Sequence, residues 1–176
     1  MLRLNRLQFV ISLLTLAILV CASGPTAAAV RIEGLVQGGG GPLANSTVTL
    51  WAASASEPRQ LAQATTNSDG LFELSSQEAV GAEALLYLVA KGGIATVNKG
   101  SGNNPAIALL SVLGNAPPNK VVVNEMTTVA SVWTHGQFLD GAAIKGNALG
   151  LKIAAGNVPN FVDLQPVAGA APYRTR

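Results

Sequence analysis

Short apolar runs separated by turn residues fill the chain from residue 30 to about residue 123, and this pattern constrains the fold most. Apolar runs of about four to eight residues bounded by Gly, Pro, Asn and Asp are typical of β-strands, whereas helices need longer segments with a period of 3.6 residues. The predicted strands are 30–36, 46–53, 60–65, 71–74, 85–91, 106–113 and 120–123. This spacing predicts a mainly β fold with antiparallel strands packed as a sandwich.

Two of these strands carry more detailed predictions. Strand 46–53 alternates, with Val48 and Leu50 on one face and Trp51 on the opposite face beside threonines. Strand 85–91 is almost continuously apolar, which indicates a strand that is buried on both faces or central in a sheet.

Turn chemistry between the strands predicts how some of them connect. Asn67 and Asp69 can bond their own backbone and Gly70 can adopt a positive φ, so we expect a hairpin between strands 60–65 and 71–74. The glycine run 38–41, followed by a proline, predicts a loop, and 98–105 predicts a surface loop. The glycine run lacks the Lys-Ser/Thr of a phosphate-binding loop, and no EF-hand glutamate follows the 67–70 turn.

The apolar period changes at Asn124, which can cap a helix. Residues at i, i+3, i+4 and i+7 then share one helical face: Met126, Val129, Ala130 and Trp133. We predict a helix over 125–135 that packs Trp133 against the sandwich, with Gly136 just past its end. A second helix is expected from about residue 147 to 155, and the predicted helical extension spans 124–167, before a flexible tail at 168–176.

The first 29 residues have the three regions of a secretory signal peptide. Arg3 and Arg6 precede an apolar run over 9–22, and small residues end the segment at 27–29. The apolar run is shorter than the roughly 20 residues of a membrane-spanning helix, which favours cleavage over permanent anchoring. Cleavage after Ala29 is expected, with a cut after Ala22 as the alternative. We therefore expect an extracytoplasmic protein: secreted, periplasmic or at the cell surface.

Removal of this segment changes the chemistry of the chain. Cys21 is the only cysteine, so cleavage after Ala29 leaves no thiol for disulfides, zinc sites or nucleophilic catalysis. Acylation of Cys21 as a lipoprotein is a minor alternative, since Val20 stands where a small residue is usual. The 11 basic residues include Arg3 and Arg6, so cleavage leaves 9 basic against 9 acidic residues. A neutral chain without a basic cluster excludes the electrostatic signature of nucleic-acid binding.

Catalytic chemistry has few candidates in this sequence. His135 is the only histidine, and Ser131 lies one helical turn before it. A serine within a helix lacks the strained turn and oxyanion amides of a nucleophile, so we expect His135 to be a partly exposed residue favoured by the helix dipole. The glutamates have no spacing that marks an acid/base pair: Glu33, Glu57, Glu73, Glu78 and Glu83. The sequence predicts no catalytic, cofactor-binding or metal-binding residue.

Two aromatic residues are candidates for a sugar platform. Trp51 and Tyr87 could stack on a sugar if they were exposed, although packing in the core or at its rim is the favoured interpretation.

Three segments resemble one known domain family. They are the opening strand IEGLV at 32–36, the segment GPLANSTVTL at 41–50, and TTNSDGLFEL at 65–74. Together they resemble the carboxypeptidase regulatory-like domain, a prealbumin-like (transthyretin-like) sandwich related to Cna protein B-type modules of bacterial surface proteins. The resemblance covers about a third of the chain, and it implies five core residues: Leu35, Val48, Leu50, Phe72 and Leu74.

The same resemblance limits the functional expectations. Some Cna B-type modules form a Lys-Asn/Asp isopeptide bond, but the first strand here offers Arg31 instead of Lys. Residues 123–130 are similar to a segment that follows such domains in uncharacterised exported bacterial proteins. Domains of this class usually serve as accessory, adhesive or spacer modules, and a fold alone does not imply an activity.

We therefore expect an exported non-catalytic binding or structural module that offers loops or an edge strand to a protein or glycan. Two alternatives stay open. One is a small secreted hydrolase or carbohydrate-active enzyme, and the other is an N-terminal part of a larger surface protein.

Overall fold

The computed structural model describes residues 30–78, 80–81, 84–97, 100 and 102–166. The predicted signal peptide, Cys21, Glu83 and the predicted tail lie outside the described residues. The strands are β1 (Val30–Gly38), β2 (Gly41–Ala44), β3 (Thr47–Ala53), β4 (Arg59–Thr65), β5 (Leu71–Ser76), β6 (Leu85–Lys91), β7 (Ile94–Ala95), β8 (Ala108–Gly114), β9 (Lys120–Val123), β10 (Leu139–Asp140) and β11 (Ala143–Ile144). The helices are α1 (Glu125–His135) and α2 (Ala148–Asn157).

The strands form two facing sheets and a small hairpin. The first sheet has the order β5-β1-β2-β7, with β9 also paired to β1, and the second has the order β4-β3-β6-β8. The β1–β9 pair is parallel and the other described pairs are antiparallel. The predicted fold class, a mainly β antiparallel sandwich followed by short helices, is confirmed.

The core between the sheets follows the alternation of the strands. Val48, Leu50, Phe72 and Leu74 are buried there, as the family resemblance implies. Leu35 is only half-buried, so its predicted core position is wrong. The reason is the period of two along β1, which directs Ile32 and Val36 inward and Leu35 to the opposite face.

Strand β6 is buried on both faces, as the sequence predicts. Its residues Leu86, Leu88 and Ala90 belong to the core between the sheets. Its alternate residues Leu85 and Tyr87, together with Val89, belong to a second core that includes residues of α1 and α2. The helices thus add a third layer over the outer face of the second sheet. The predicted boundary between sandwich and extension at residue 123 stays a prediction.

Two predicted connections are wrong. The glycine run is not a plain loop: Gly39 and Gly40, with φ of 63° and 85°, form the tight turn of a β1–β2 hairpin. The turn after β4 has the expected chemistry, because Asn67 Oδ1 accepts hydrogen bonds from the amides of Asp69 and Leu71. It does not make a hairpin, since β4 and β5 belong to different sheets.

Both helices begin at an asparagine cap. The Asn124 side chain accepts from Thr127 N while Thr127 Oγ1 accepts from Asn124 N, a reciprocal capping box. Gly136 lies just past α1 as predicted, but its φ of −51° is helical and the chain continues into a 3-10 turn over Gly136–Phe138. Asn147 caps α2 by accepting from Gly150 N. The second helix ends two residues later than predicted, at Asn157.

Candidate binding surfaces

Only part of the predicted apolar face of α1 packs against the sheet: Ala130 is buried and Met126 is partly buried against the same core. Trp133 is 76% exposed and Val129 is 62% exposed, so the prediction that Trp133 packs on the sandwich is wrong. The residues of α1 that are buried are instead Thr127, Ala130, Ser131 and His135.

Hydrogen bonding to β8 explains this orientation. Among the described strands, β8 pairs with β6 alone, so its other edge has backbone groups that need partners. Ser131 Oγ accepts from Val112 N and Thr128 Oγ1 accepts from Leu110 N, both at 2.9 Å. Thr127 Oγ1 also reaches Leu110 O at 3.2 Å.

A comparison of the free energies of hydrogen bonding and of apolar burial favours the observed orientation of α1. Each buried amide without a partner costs about 1–3 kcal/mol, so leaving two of them unpaired costs as much as or more than the roughly 1.5–3 kcal/mol gained by burying one large apolar side chain. The hydroxyl face of α1 therefore covers the sheet edge, and Trp133 points away from it.

His135 is the last residue of α1 and is 0% exposed, so the expectation of a partly exposed histidine is wrong. Its Nδ1 lies 2.8 Å from Thr134 Oγ1 and 3.2 Å from Ser131 O. Burial lowers the pKa of His135 below its ordinary 6.5, an effect partly offset by the backbone of Ser131 and of Leu151. Although the Leu151 backbone is near, Nε2 has no well-formed hydrogen bond among the described residues.

The Ser131 hydroxyl is directed to β8 and not to His135. Since Ser131 Oγ accepts from Val112 N, and both side chains are fully buried, the pair does not form the nucleophile–base contact that acyl transfer requires. The sequence placed these residues one turn apart, and the fold gives them structural partners.

The described glutamates of the sheets lie in exposed ion pairs. Arg31 contacts both Glu33 and Glu73, which are directly opposite each other on β1 and β5. The two glutamates line a groove of about 560 Å³.

Two further described glutamates also lie in ion pairs. Glu57 pairs with Lys145 and Glu78 with Arg59. Within the described ranges, no group of three His, Cys, Asp or Glu side chains could hold a metal ion.

Six large apolar side chains of the helical region are exposed, and they are together called the helical apolar face here. It consists of the exposed large side chains of α1, α2 and the turn that follows: Val129, Val132, Trp133, Leu149, Ile153 and Phe161. In α2 the inward positions Leu151 and Ala154 are also apolar, so this helix is apolar on both sides. A helix of this kind is typical of a segment with a partner on each side.

A second feature is a concave site beside the helical layer, here called the Trp51 cleft. It has a volume of about 340 Å³ and is lined by Thr49, Trp51, Pro58, Tyr87, Val89, Lys91, Asp140, Ala142 and Ala143. The Trp51 and Tyr87 rings lie 6.5 Å apart with an interplanar angle of 16°. Trp51 is half-buried, whereas Tyr87 is 1% exposed.

The hydroxyl group of Tyr87 contacts the small β10–β11 hairpin. Its hydroxyl oxygen accepts from Ile144 N at 3.3 Å, and burial raises the pKa of the phenol. Tyr87 therefore supports Trp51 from the interior, and Trp51 is the aromatic residue that a ligand can reach.

No helix in the described part of the chain has the length and apolar character needed to cross a membrane. No protein-family model matches the chain, and no curated protein matches it. Among solved structures, it is similar to a 9R-lipoxygenase from Cyanothece PCC8801, with 15% identity over 58% of this chain and a TM-score of 0.33. This chain spans 17% of that lipoxygenase.

Proposed function

We propose that this protein is an exported, non-catalytic binding module of the prealbumin-like sandwich class, which docks a protein partner through the helical apolar face. The sequence of residues 1–29 supports export, and the three family-like segments support the sandwich class. The observation that carries the binding function is the exposure of six large apolar side chains on α1, α2 and the turn that follows α2.

This exposure is costly unless a partner covers it. Leu149 is 68% exposed and Ile153 is 60% exposed, in addition to the two most exposed side chains of α1. Burying one such side chain contributes about 1.5–3 kcal/mol, and contiguous apolar patches of several hundred Å² on monomers are often functional. The helical apolar face therefore has the composition of an interface core.

The charges around this face favour a protein over a lipid surface. Glu125 and His135 at its two ends are the only ionisable residues of α1, and Lys152 is the only charged residue of α2. Helices that lie on membranes are rich in Lys and Arg on their polar face, whereas depletion of charge is typical of the centre of protein interfaces.

A photo-crosslinking experiment tests the proposed docking. The full chain, produced in its own host, would carry a photoreactive residue at Val132, with a control chain carrying it at Ser75, which is exposed on β5 of the first sheet. We expect one crosslinked protein of defined mass from position 132, lost when Ile153→Ser is added. Equal crosslinking from positions 132 and 75 would contradict a docking role for the face.

Two further measurements test the rest of the proposal. Cell fractionation with N-terminal sequencing should find the chain outside the cytoplasm and beginning after Ala29; an uncleaved cytoplasmic chain would contradict export. In a panel of ester and glycoside substrates, the wild type should match His135→Ala. An activity present in the wild type and lost in that variant would contradict the non-catalytic function.

A further inference from the structure

Half of the outer face of the second sheet is left open by the helical layer. Residues of α1 and α2 pack over β6 and β8, and the Trp51 cleft begins where this cover ends, at β3. The neighbouring strand β4 is largely exposed. A ligand can therefore approach the cleft across β4 without displacing a helix.

Sheet register places polar side chains of β4 beside Trp51. Gln60 lies opposite Trp51 and Gln63 lies opposite Thr49, so these side chains share the face of the indole ring. Gln60 Nε2 donates to Gln63 Oε1 at 3.4 Å, which orients the two exposed amides together. Each glutamine amide can both donate and accept, as a ligand with hydroxyl groups requires.

The opposite wall of the cleft is short and mixed in charge. The β10–β11 hairpin contributes Asp140 and Ala142, and Lys91 comes from the end of β6. Among the described residues, one carboxylate and one ammonium group line the cleft, so this lining has no net charge to select an anionic or a cationic ligand.

We infer that the Trp51 cleft and the adjacent Gln60–Gln63 strip bind a neutral sugar chain, with one ring stacked on Trp51. The C–H groups of a sugar carry partial positive charge and fit the negative face of an indole ring. A volume of about 340 Å³ lies at the low end of the range of small-molecule sites, about 300–1,000 Å³, which suits a ring-sized unit of a longer chain. This site is separate from the helical apolar face and does not depend on the proposed protein partner.

The two tryptophans of the chain allow a direct test. In a Trp133→Phe variant of the full chain, Trp51 is the only tryptophan, so its fluorescence reports on the cleft. The probes are cellohexaose, maltohexaose, xylohexaose and chitohexaose, with hexagalacturonate as the acidic counterpart. We expect a saturable emission change with at least one neutral probe and a weaker one with the acidic probe.

Two variants identify the surface that binds. By calorimetry, Trp51→Ala and the double variant Gln60→Ala/Gln63→Ala should each weaken binding of the active probe about tenfold or more, as expected for loss of a central aromatic or hydrogen-bonding contact. The double variant changes only exposed side chains, so it decides the question even if Trp51→Ala fails to fold. Trp133→Ala is the matched control and should bind as the wild type does.

The proposal fails on any of three results. These are the absence of saturable binding to all four neutral probes, wild-type affinity in the double variant, and preferential binding of the acidic probe. None of these results involves the helical apolar face. Failure of the sugar-binding proposal therefore does not affect the crosslinking test of protein docking.

Discussion

Replacing Ser131 by alanine should reveal how strongly α1 is held by the edge of β8. The hydroxyl is fully buried and accepts from Val112 N, which is itself buried on the strand. Alanine leaves almost no cavity, so the main effect is a buried amide without a partner. Such a group costs about 1–3 kcal/mol, and we expect Ser131→Ala to lower the free energy of unfolding by about 2 kcal/mol.

Ser111 provides a matched control within β8. It is also fully buried, yet its hydroxyl has no hydrogen-bond partner among the described residues. Ser111→Ala therefore removes an unsatisfied polar group, and should be neutral or stabilise the protein by up to about 1 kcal/mol. The same chemical change is thus expected to destabilise the protein at position 131 and not at position 111.

Urea denaturation of both variants provides the measurement. With a slope of about 2 kcal/mol per molar urea, the midpoint of Ser131→Ala should fall by about 1 M while the slope stays unchanged. The reasoning would be refuted if Ser131→Ala unfolded at the wild-type midpoint, or if Ser111→Ala were destabilised as much as Ser131→Ala.

Three further predictions concern the histidine, the helix cap and one glycine. Because burial holds the pKa of His135 in the folded protein below 6.5, only the unfolded chain takes up a proton at this residue as the pH falls through about 6.5. The free energy of unfolding should therefore decrease from about pH 7.5 to pH 5.5, and it should decrease less in His135→Gln. An equal decrease in the two proteins, measured by urea denaturation, would contradict this prediction. Asn124→Ala should cost about 1–2 kcal/mol in thermal melts, while Asn124→Asp, which keeps the acceptor for the capped amide, should cost less. Gly34→Ala should cost about 1–3 kcal/mol, since a Cβ there would contact the Phe72 ring and lie 2.7 Å from Val121 O; trimming the ring with Phe72→Leu should not restore stability, because the backbone contact remains.

The strands and caps could be predicted from sequence because their signals are local. The alternation in β3 and the continuous apolar run of β6 correctly indicate which residues face a core. Asn124 marks the start of α1 because its side chain bonds an amide only three residues away. The conformation of these segments depends on neighbours in the chain, which the sequence displays directly.

The wrong predictions concern features that depend on segments distant in the sequence. The residues around Gly70 reverse the chain in either a hairpin or a crossing between sheets, and the partner strands choose between them. Leu35 is apolar like Ile32 and Val36, but the register of β1 directs only the latter two into the core between the sheets.

The candidate sites depended even more on the tertiary structure. Trp51 was visible in sequence as a possible sugar platform, but its position beside Gln60 and Gln63 follows from the pairing of β3 with β4. The exposure of Trp133 had no local signal, because its spacing with Met126 and Val129 is that of an ordinary buried face.

The sequence by itself determined the mainly β class, most of the strands and both helix starts, while the export signal stays a prediction. Only the tertiary structure decided that α1 presents hydroxyls to β8, that His135 and Ser131 are buried with structural partners, and that Trp133 faces outward. The physical reason is the open edge of β8: its backbone amides need acceptors, and satisfying them outweighs burial of one apolar side chain.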